Sequence, residues 1–547
     1  MSEKHGKAVD LSHHLSDMAK ARLPSPLKSL GKYMNKPGLI SLAGGMPHPD
    51  YFPFADISAN ALAQNSYSVD ESRRSSSLSW IWNIFGSKQK TIPITVPKYP
   101  TSPDQINLAV ALQYGQASGL AQLQVFIKHF VSQVYSPAFS DWTTLIHTGN
   151  TDGLLRAFFT LLNPGEVFLT EEWTYPSATA ATKPIGCKAV PVAMDGQGMR
   201  SDDLKKVLSE WDEQARGAKR PRVMYTVPIG QNPSGATMSL SRKQEIYDIC
   251  VQYGKCHPTD KSVLYDLGTH MTLADVIILE DDPYYFLQLK EYHLPSERSA
   301  PSASKHDGAA FIASLEPSYL NIDVQGRVIR LDTFSKTIAP GSRLGFFTCN
   351  PLFAERLERA GETSTQAPCG FGQSLIAQLL TTWGYDGYVR WLHGLAVEYE
   401  VRRDYLLDSL SEEFHMRKGL GPAGVWEGLE VLEAHAKPTA SEKFGYGSKY
   451  FSIVPPTSGM FLWVKLHFDD IPNFQPGDEE SLEMQAWTKL AEAGVLVAPG
   501  WFFAADGVNP PEPGAGHFRI AFSNADFATF KTAVTTLGQV LREIHGQ

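Results

Sequence analysis

Six short apolar segments lie along residues 112–347, and longer stretches with the spacing of amphipathic helices separate them. Several are continuous apolar runs, which is typical of strands buried on both faces of a sheet. Before the fourth segment, Ser241 and Gln244 form a capping-box pattern that predicts a helix start. This alternation predicts an α/β fold, with a mostly parallel sheet between two layers of helices. The predicted strands are 144–146, 167–169, 223–227, 276–279, 328–331 and 346–348.

The pattern changes after about residue 381, where a long helical tract (388–414) leads to further strands at 459–464 and 518–522. This order is typical of a smaller α+β domain. We therefore predict an N-terminal segment (1–55) that packs with the small domain, a large domain (56–383) and a small C-terminal domain (384–547). Three polar or irregular stretches are interpreted as surface insertions, since long loops cost little entropy: 66–103, 254–272 and 290–326.

Composition excludes several classes of protein. The 547 residues are 43% hydrophobic and 20% charged, which suits a globular protein with a large core. The net charge of -9 argues against a nucleic acid or an anionic membrane as the main partner. No stretch approaches 18 uncharged apolar residues, and residues 1–20 resemble neither a signal nor a transit peptide. Five cysteines without a CxxC pair favour reduced thiols, a cytoplasmic location and no metal site.

A lysine stands among hydroxyl groups in the turn after the predicted strand at 328–331. Lys336 follows Thr333 and Ser335, and Arg343 comes seven residues later. A lysine amine condenses with an aldehyde, while hydroxyls and a fork-shaped cation suit a phosphate. The alternative is an exposed loop lysine, as most lysines are. The combination predicts a site for pyridoxal 5′-phosphate with Lys336 as its covalent anchor.

Polar residues also follow other predicted strands, where ligands bind in open α/β sheets. Asp281 comes after the strand at 276–279, and a carboxylate there would keep a pyridine nitrogen protonated. Tyr284, three residues further on, could donate to the ring O3′. The alternative for the acidic residues here is that they cap a helix or bind Mg²⁺. Asn150 and Thr151 lie in a Gly-rich turn that opens a helix and suits an anion, unless it is a plain loop.

Three further side chains are candidates that also have ordinary explanations. Asn232 lies in an Asn-Pro turn and would bond to O3′, although such a turn needs no function. Tyr175 follows the strand at 167–169 and would stack on the ring, unless it is a packing residue. Arg519 stands in an apolar strand, where it pairs either with a protein carboxylate or with a substrate α-carboxylate.

Five ordered motifs together carry a family resemblance, at 41–47, 112–115, 231–235, 280–287 and 333–336. With them the chain resembles fold-type I, pyridoxal-phosphate-dependent aminotransferases of class I/II. Within that family it is similar to the fungal aromatic amino acid aminotransferases and the kynurenine/α-aminoadipate aminotransferases. The similarity runs from about residue 24 to residue 523, apart from the insertions.

The resemblance implies a role for each candidate. Lys336 would hold the cofactor covalently and move the proton between Cα and C4′, and Asp281 would pair with the ring nitrogen. Asn232 and Tyr284 would bind O3′, and Tyr175 would stack on the ring. The residues implied around the phosphate are Asn150, Thr151, Thr333, Ser335 and Arg343.

The resemblance also implies partners for this site. Tyr114 would reach the phosphate in a neighbouring subunit, so the active unit would be a homodimer. Arg519, Asn232 and the backbone of Gly45 would bind the substrate carboxylate. The implied partners are therefore amino acids, 2-oxo acids and a second copy of the chain.

Four positions depart from the family pattern. Asn150 and Thr151 replace a common Ser-Gln pair, and Thr333 replaces a usual serine but keeps the hydroxyl. Lys28 stands where some relatives place an arginine near the substrate side chain. Lysine keeps the charge but lacks the planar fork, so binding of an acidic side chain is less expected here.

The resemblance implies ping-pong transamination of Phe, Tyr and Trp, with 2-oxoglutarate or another 2-oxo acid as acceptor. Aromatic residues near the expected pocket agree with this, although they also suit a core: Tyr51, Phe52, Phe371 and Phe461. One alternative is a 2-aminoadipate/kynurenine aminotransferase of broad specificity. A second is a cofactor-sensing transcription regulator, which the acidic charge and the short segment before Gly45 disfavour.

Overall fold

The computed structural model describes residues 6–24, 36, 38, 45–69, 90–102, 105–252, 275–298, 305–422, 424–437, 447–510 and 512–547. Its strands are β1 Asp56–Leu62, β2 Thr91–Pro97, β3 Thr143–His147, β4 Val167–Glu171, β5 Lys188–Val192, β6 Met194–Asp195, β7 Gly198–Met199, β8 Val223–Thr226, β9 Ile277–Asp281, β10 Val328–Thr333, β11 Gly345–Cys349, β12 His415–Leu420, β13 Glu430–His435, β14 Lys449–Ile453, β15 Phe461–His467, β16 Ala498–Pro499 and β17 Ala515–Ala521. Its α-helices are α1 Asp17–Ala21, α2 Leu108–Ala111, α3 Ala121–Val134, α4 Asn150–Leu161, α5 Pro176–Thr182, α6 Ser201–Ser209, α7 Glu213–Arg216, α8 Leu240–Gln252, α9 Gly308–Ala313, α10 Pro351–Glu362, α11 Gly370–Glu413, α12 Glu479–Glu492 and α13 Phe527–Ile544.

The central sheet has seven strands in the order β3-β11-β10-β9-β8-β4-β5. Neighbouring strands from β10 to β5 are parallel, whereas β11 runs antiparallel to both β10 and β3. Adjacent residues of β3 belong to different cores, Leu145 to one and Ile146 to the other, because successive side chains point to opposite faces. The predicted α/β fold with a mostly parallel, doubly covered sheet is confirmed.

A second sheet is antiparallel, with six strands in the order β12-β13-β14-β15-β17-β16. Its strands β15 and β17 overlap the strands predicted at 459–464 and 518–522. The long helix α11 leads into this sheet, and it is kinked at Gly384, where φ is 66° and ψ is -179°. The predicted boundary at 383/384 therefore falls at the kink, and the division into domains stays a prediction.

The described part of the predicted insertion at 66–103 is more regular than expected. Its strand β2 pairs antiparallel with β1 along all seven residues, from Asp56–Pro97 to Leu62–Thr91. Residues 70–89 and 103, the insertion at 254–272, Lys28 and positions 41–44 of the first motif lie outside the described residues. None of the described helices is long and apolar enough to cross a membrane.

The topology brings several strand ends to one edge of the central sheet. Strands β3, β4, β8, β9 and β10 run in one direction, so the turns that follow them meet at their carboxyl ends. The turn before β11 joins them, because β11 runs in the opposite direction. Every predicted site residue between Asn150 and Arg343 lies at or shortly after one of these strand ends, and Asp281 and Thr333 are themselves the last residues of β9 and β10.

Candidate active site

A cleft of about 300 Å³ lies at this edge of the sheet, between the turns and the second sheet. Eleven of the thirteen predicted site residues line it. They are Asn150, Thr151, Tyr175, Asn232, Asp281, Tyr284, Thr333, Ser335, Lys336, Arg343 and Arg519. The structure thus brings together side chains that are up to 369 positions apart in the sequence.

Gly45 and Tyr114 do not line this cleft. Tyr114 is 65% exposed and lies just after α2. Gly45 is exposed and follows residues 39–44, which lie outside the described residues. Of the four aromatic residues expected near the pocket, Phe461 lines it, whereas Tyr51 is 85% exposed and Phe371 packs against Phe54.

Lys336 is half-buried in the cleft, and no hydrogen bond or ion pair engages its Nζ within the described part of the chain. Burial lowers its pKa, and the positive charges of Arg519 and Arg343 lower it further. A lower pKa leaves a larger share of the amine neutral at a given pH. Lys336 therefore has the reactivity that condensation with an aldehyde requires.

Arg343 forms one wall of an anion-binding cradle. Its backbone is left-handed (φ 48°), and its guanidinium donates to the carbonyl oxygens of Pro340 at 2.9 Å and Thr148 at 3.2 Å. Gly149 (φ 98°) allows this approach, since a Cβ there would collide with the Arg343 guanidinium. No carboxylate among the described residues pairs with Arg343, so its charge is open to an incoming anion.

Two hydroxyl groups and a helix start complete the cradle. Thr333 Oγ1 donates to Ser335 Oγ at 2.9 Å, and Ser335 Oγ lies 3.4 Å from Arg343 Nη1. Helix α4 begins at Asn150, and its first backbone N–H groups lack partners within the helix. A helix N-terminus, two hydroxyls and a cation without an acidic partner form a set that fits a phosphate.

Asp281 is a buried carboxylate that has no cationic ion-pair partner among the described residues, at 4% exposure. Its Oδ1 accepts from Asn150 Nδ2 at 2.6 Å, and its Oδ2 accepts from the Tyr225 hydroxyl at 2.9 Å. Burial raises the pKa of Asp281 to about 6, and the two hydrogen bonds oppose that rise. A protonated ring nitrogen beside it would supply the missing positive charge.

Arg519 reaches the cleft from β17 of the second sheet. Its Nη1 donates to Asn232 Oδ1 at 2.7 Å, and its guanidinium lies 4.0 Å from the ring centre of Phe461 and 4.7 Å from that of Phe503. The sequence left open a salt bridge to a protein carboxylate, but no described carboxylate pairs with Arg519. A half-buried cation between two rings therefore lacks a counter-ion, which suits a ligand carboxylate.

Two tyrosines contribute ring surfaces to the cleft. Tyr284 is buried, with its ring edge-on to Phe461 at 5.8 Å, and burial raises the pKa of its hydroxyl, which therefore keeps its proton. Tyr175 lies directly before α5. The set thus contains an aldehyde-reactive amine, a phosphate cradle, an acid for a ring nitrogen and aromatic walls, which together fit pyridoxal 5′-phosphate.

Sequence reasoning missed Tyr225 and Phe503. Tyr225 pairs in register with Leu279, two residues before Asp281 and on the same face of the sheet. The signal was a polar aromatic residue inside a predicted strand, but only the strand register connects it to Asp281. Phe503 precedes β17 in the chain, and its contact with Arg519 depends on how that loop folds back.

Comparisons with known proteins agree with this geometry. The family profile "Aminotransferase class I and II" matches residues 108–259 and 304–537. An aromatic amino acid aminotransferase of Schizosaccharomyces pombe is 34% identical, over 97% of this chain and 98% of that protein. The L-tyrosine:2-oxoglutarate aminotransferase atrD of Tapinella panuoides is 31% identical, over 98% of this chain and 96% of that protein.

A solved aminotransferase structure also resembles this chain. The crystal structure of aminotransferase Aro8 from Candida albicans matches with a TM-score of 0.78 and 32% identity, over 99% of this chain and 100% of that chain. Kynurenine/α-aminoadipate aminotransferases also occur among the relatives, so both groups named by the resemblance are present. The chain therefore belongs to the class I and II aminotransferases, and it is an aminotransferase whose cofactor is pyridoxal 5′-phosphate.

Proposed function

We propose that this enzyme transaminates aromatic amino acids, with 2-oxoglutarate as amino-group acceptor. The observation that carries the proposal is the uncompensated guanidinium of Arg519, which shares the cleft with Lys336. An α-carboxylate bound by Arg519 would be held beside the reactive amine. The printed names of the Schizosaccharomyces and Tapinella relatives support the aromatic donor and the 2-oxoglutarate acceptor.

The residues of the cleft divide the work of the reaction. When bound, pyridoxal 5′-phosphate supplies an aldehyde that takes up the amino group and a ring that accepts electron density from the substrate Cα. Lys336 Nζ would hold the cofactor and, as a free amine, would take the proton from the substrate Cα and return it to C4′. Its lowered pKa suits a group that must be neutral to accept that proton.

The remaining side chains orient the two ligands. Asp281 would keep the ring nitrogen protonated, because an ionised carboxylate favours the cationic form of its neighbour. Asn232 and Tyr284 would donate to O3′, and Tyr175 would cover a face of the ring. The phosphate group would be held by Thr151, Thr333, Ser335, Arg343 and the N-terminus of α4.

The lining of the cleft favours an aromatic side chain over an acidic one. Besides Lys336, the described lining has two cations, Arg343 and Arg519, and the proposal uses the first for phosphate and the second for the α-carboxylate. Phe461 offers ring surface, against which an aromatic substrate packs well. We therefore expect Phe, Tyr and Trp to be better donors than 2-aminoadipate.

A homodimer is part of the proposal. Large apolar side chains are exposed around α2 and the turn at 49–54, where two copies would bury them. Tyr114 lies in this region, which is why we assign it to the phosphate of the neighbouring subunit. The exposed set comprises Met46, Tyr51, Phe54, Tyr99, Val110 and Tyr114.

The proposal also includes a cytoplasmic location, which four free thiols support: Cys187, Cys250, Cys349 and Cys369.

Two experiments test the function. Borohydride reduction followed by peptide mapping should trap the cofactor on Lys336, and Lys336→Ala should lower kcat by about 1000-fold or more. A trapped adduct on another lysine contradicts the site. Kinetics with Phe, Tyr, Trp, kynurenine and 2-aminoadipate then test the substrate: a much higher kcat/KM for 2-aminoadipate replaces the aromatic assignment with the kynurenine/α-aminoadipate type.

Mixing experiments test the shared site. Lys336→Ala and Tyr114→Ala variants are each expected to be impaired, and mixed subunits should regain activity at one of the two sites. Recovery requires that Tyr114 of one copy serve Lys336 of the other. Mixed dimers without recovery, or a monomer in light scattering, contradict this part of the proposal.

A further inference from the structure

The carboxylate of Asp281 is held from two sides by two different elements. Asn150 is the first residue of α4, and its Nδ2 lies 2.6 Å from Asp281 Oδ1. Tyr225 belongs to β8, the parallel neighbour of β9, and its hydroxyl lies 2.9 Å from Asp281 Oδ2. Each oxygen of Asp281 therefore has one donor, and rotation of the carboxylate breaks at least one of these bonds.

The orientation of the Asn150 amide follows from its surroundings. Its Nδ2 faces two acceptors, Asp281 Oδ1 and the Leu331 carbonyl at 3.2 Å. The opposite orientation would direct the amide oxygen at a carboxylate and a carbonyl, which cannot donate. The side-chain amide of Asn150 therefore donates to Asp281, although the family resemblance associates this position with the phosphate.

Tyr225 is suited to act as a permanent donor. Its side chain is fully buried, and burial together with the negative charge of Asp281 raises the pKa of its hydroxyl well above the ordinary value. The hydroxyl therefore keeps its proton and can only donate to the Asp281 carboxylate.

We propose that Asn150 and Tyr225 are positioning residues, which hold Asp281 ionised and aimed at the ring nitrogen of the cofactor. The inference deepens the proposed function and rests on its assignment of Asp281. Burial alone favours the neutral carboxyl, and a neutral carboxyl no longer favours a protonated ring. Two donors to the carboxylate oppose this effect of burial, since hydrogen bonds stabilise the charged form.

The test compares two ligands of the apoprotein. One is pyridoxal 5′-phosphate, and the other is 1-deazapyridoxal 5′-phosphate, in which a carbon replaces the ring nitrogen. Both carry the aldehyde and the phosphate, so the ratio of their Kd values isolates the interaction at the ring nitrogen. The wild type is expected to prefer the natural cofactor, and Asp281→Ala should remove that preference.

The preference should shrink by about tenfold in Tyr225→Phe and in Asn150→Ala, because each variant loses one hydrogen bond to a charged group. The Kd of the deaza ligand should stay unchanged in both variants. Should Asn150→Ala not yield folded protein, Asn150→Ser is the milder substitution, since its side chain is too short to span the same distance, and the same loss is expected.

A matched control deletes a similar bond elsewhere. Tyr247 is also buried, and its hydroxyl donates to Asp323 Oδ1 at 3.0 Å, before the start of β10 at the other end of the sheet. Tyr247→Phe should leave the ratio of the two Kd values unchanged. An equal change in this control would show that the effect is not local to Asp281, and would overturn the inference.

The remaining outcomes separate the inference from the function on which it rests. A wild type that prefers the natural cofactor, with variants that keep the full preference, overturns the roles of Asn150 and Tyr225 and leaves Asp281 in place. Variants that lose affinity for both ligands equally show general damage, and they also overturn the inference. A wild type with no preference contradicts the role of Asp281 itself.

Discussion

Two arginines, the buried Arg330 and the half-buried Arg519, differ in their surroundings. Arg330 is 0% exposed and touches three carboxylates, at 2.8 Å (Asp282), 2.9 Å (Asp332) and 3.1 Å (Glu280). Its guanidinium also lies 4.0 Å from the ring centre of Tyr135. The positive charge of Arg330 is thus compensated within the protein, and we call Arg330 with these neighbours the Arg330 cluster.

Arg519 has aromatic neighbours but no carboxylate partner among the described residues. Its hydrogen-bond partner is the Asn232 amide, and the rings of Phe461 and Phe503 enclose its guanidinium. Burying a charge without a counter-charge costs free energy, which folding does not recover at this site. The comparison indicates that Arg330 serves stability, whereas Arg519 is kept for a ligand that brings its own negative charge.

Substitution of Arg330 should give the largest effect on stability. Arg330→Met leaves Glu280, Asp282 and Asp332 buried without their shared cation, and we expect a loss of about 3–5 kcal/mol in the free energy of unfolding. Denaturant unfolding followed by circular dichroism measures this. As a control, Arg298→Met removes a partly exposed pair with Asp408 and should cost less than about 1 kcal/mol.

Substitution of Arg519 should give the opposite pattern. Arg519→Met removes the proposed carboxylate site, so KM for the amino acid should rise about 100-fold, which corresponds to about 2.7 kcal/mol. The melting temperature should be unchanged or higher, because a half-buried charge without a counter-ion among the described residues is removed. Arg519→Lys keeps the positive charge but lacks the planar guanidinium, so its KM for the amino acid should lie between those of the wild type and Arg519→Met. If Arg519→Met were as unstable as Arg330→Met, the two arginines would not differ in their contribution to stability, and the comparison would be wrong.

The sequence predicts the reactive residues better than it predicts their neighbours. Lys336 and Asp281 are recognisable because their residue types are unusual directly after apolar strands, and strand ends meet in a parallel sheet. Arg519 is recognisable for a similar reason, as a charge in an apolar strand. These predictions need only the local sequence and the fold class.

The supporting contacts require the strand register, which the sequence does not encode locally. Arg330 stands in a predicted strand, yet its pairing with Glu280 in register is what brings the two charges together. The side chain of Asn150 crosses from α4 to β9, so its contact with Asp281 depends on the packing of a helix on the sheet. Pairing of β1 with β2 likewise depends on residues 29 positions apart or more.

The charge of Arg519 also acts on Lys336. Burial lowers the pKa of Lys336, and the charges of Arg519 and Arg343 lower it further. Removing the first of these charges in Arg519→Met should raise that pKa in the apoprotein. Covalent capture of pyridoxal 5′-phosphate needs the neutral amine, so its rate rises with pH, and the midpoint should move to higher pH in the variant. Stopped-flow absorbance measures the rate, and a midpoint that does not move contradicts the coupling.

Two conservative substitutions in the Arg330 cluster should have the smallest effects, and they test whether this cluster acts independently of the cleft. Tyr135 donates to Asp332 Oδ1 at 2.7 Å, so Tyr135→Phe keeps the ring over Arg330 but loses this bond, at a cost of about 1 kcal/mol. Tyr285→Phe keeps the other ring over Arg330, and within the described part of the chain the Tyr285 hydroxyl makes no hydrogen bond to the cluster, so this substitution should cost less. Both variants should retain kcat and KM. A large loss of activity without a loss of stability would mean that the cluster shapes the reacting site, since Asp332 directly precedes Thr333 in β10.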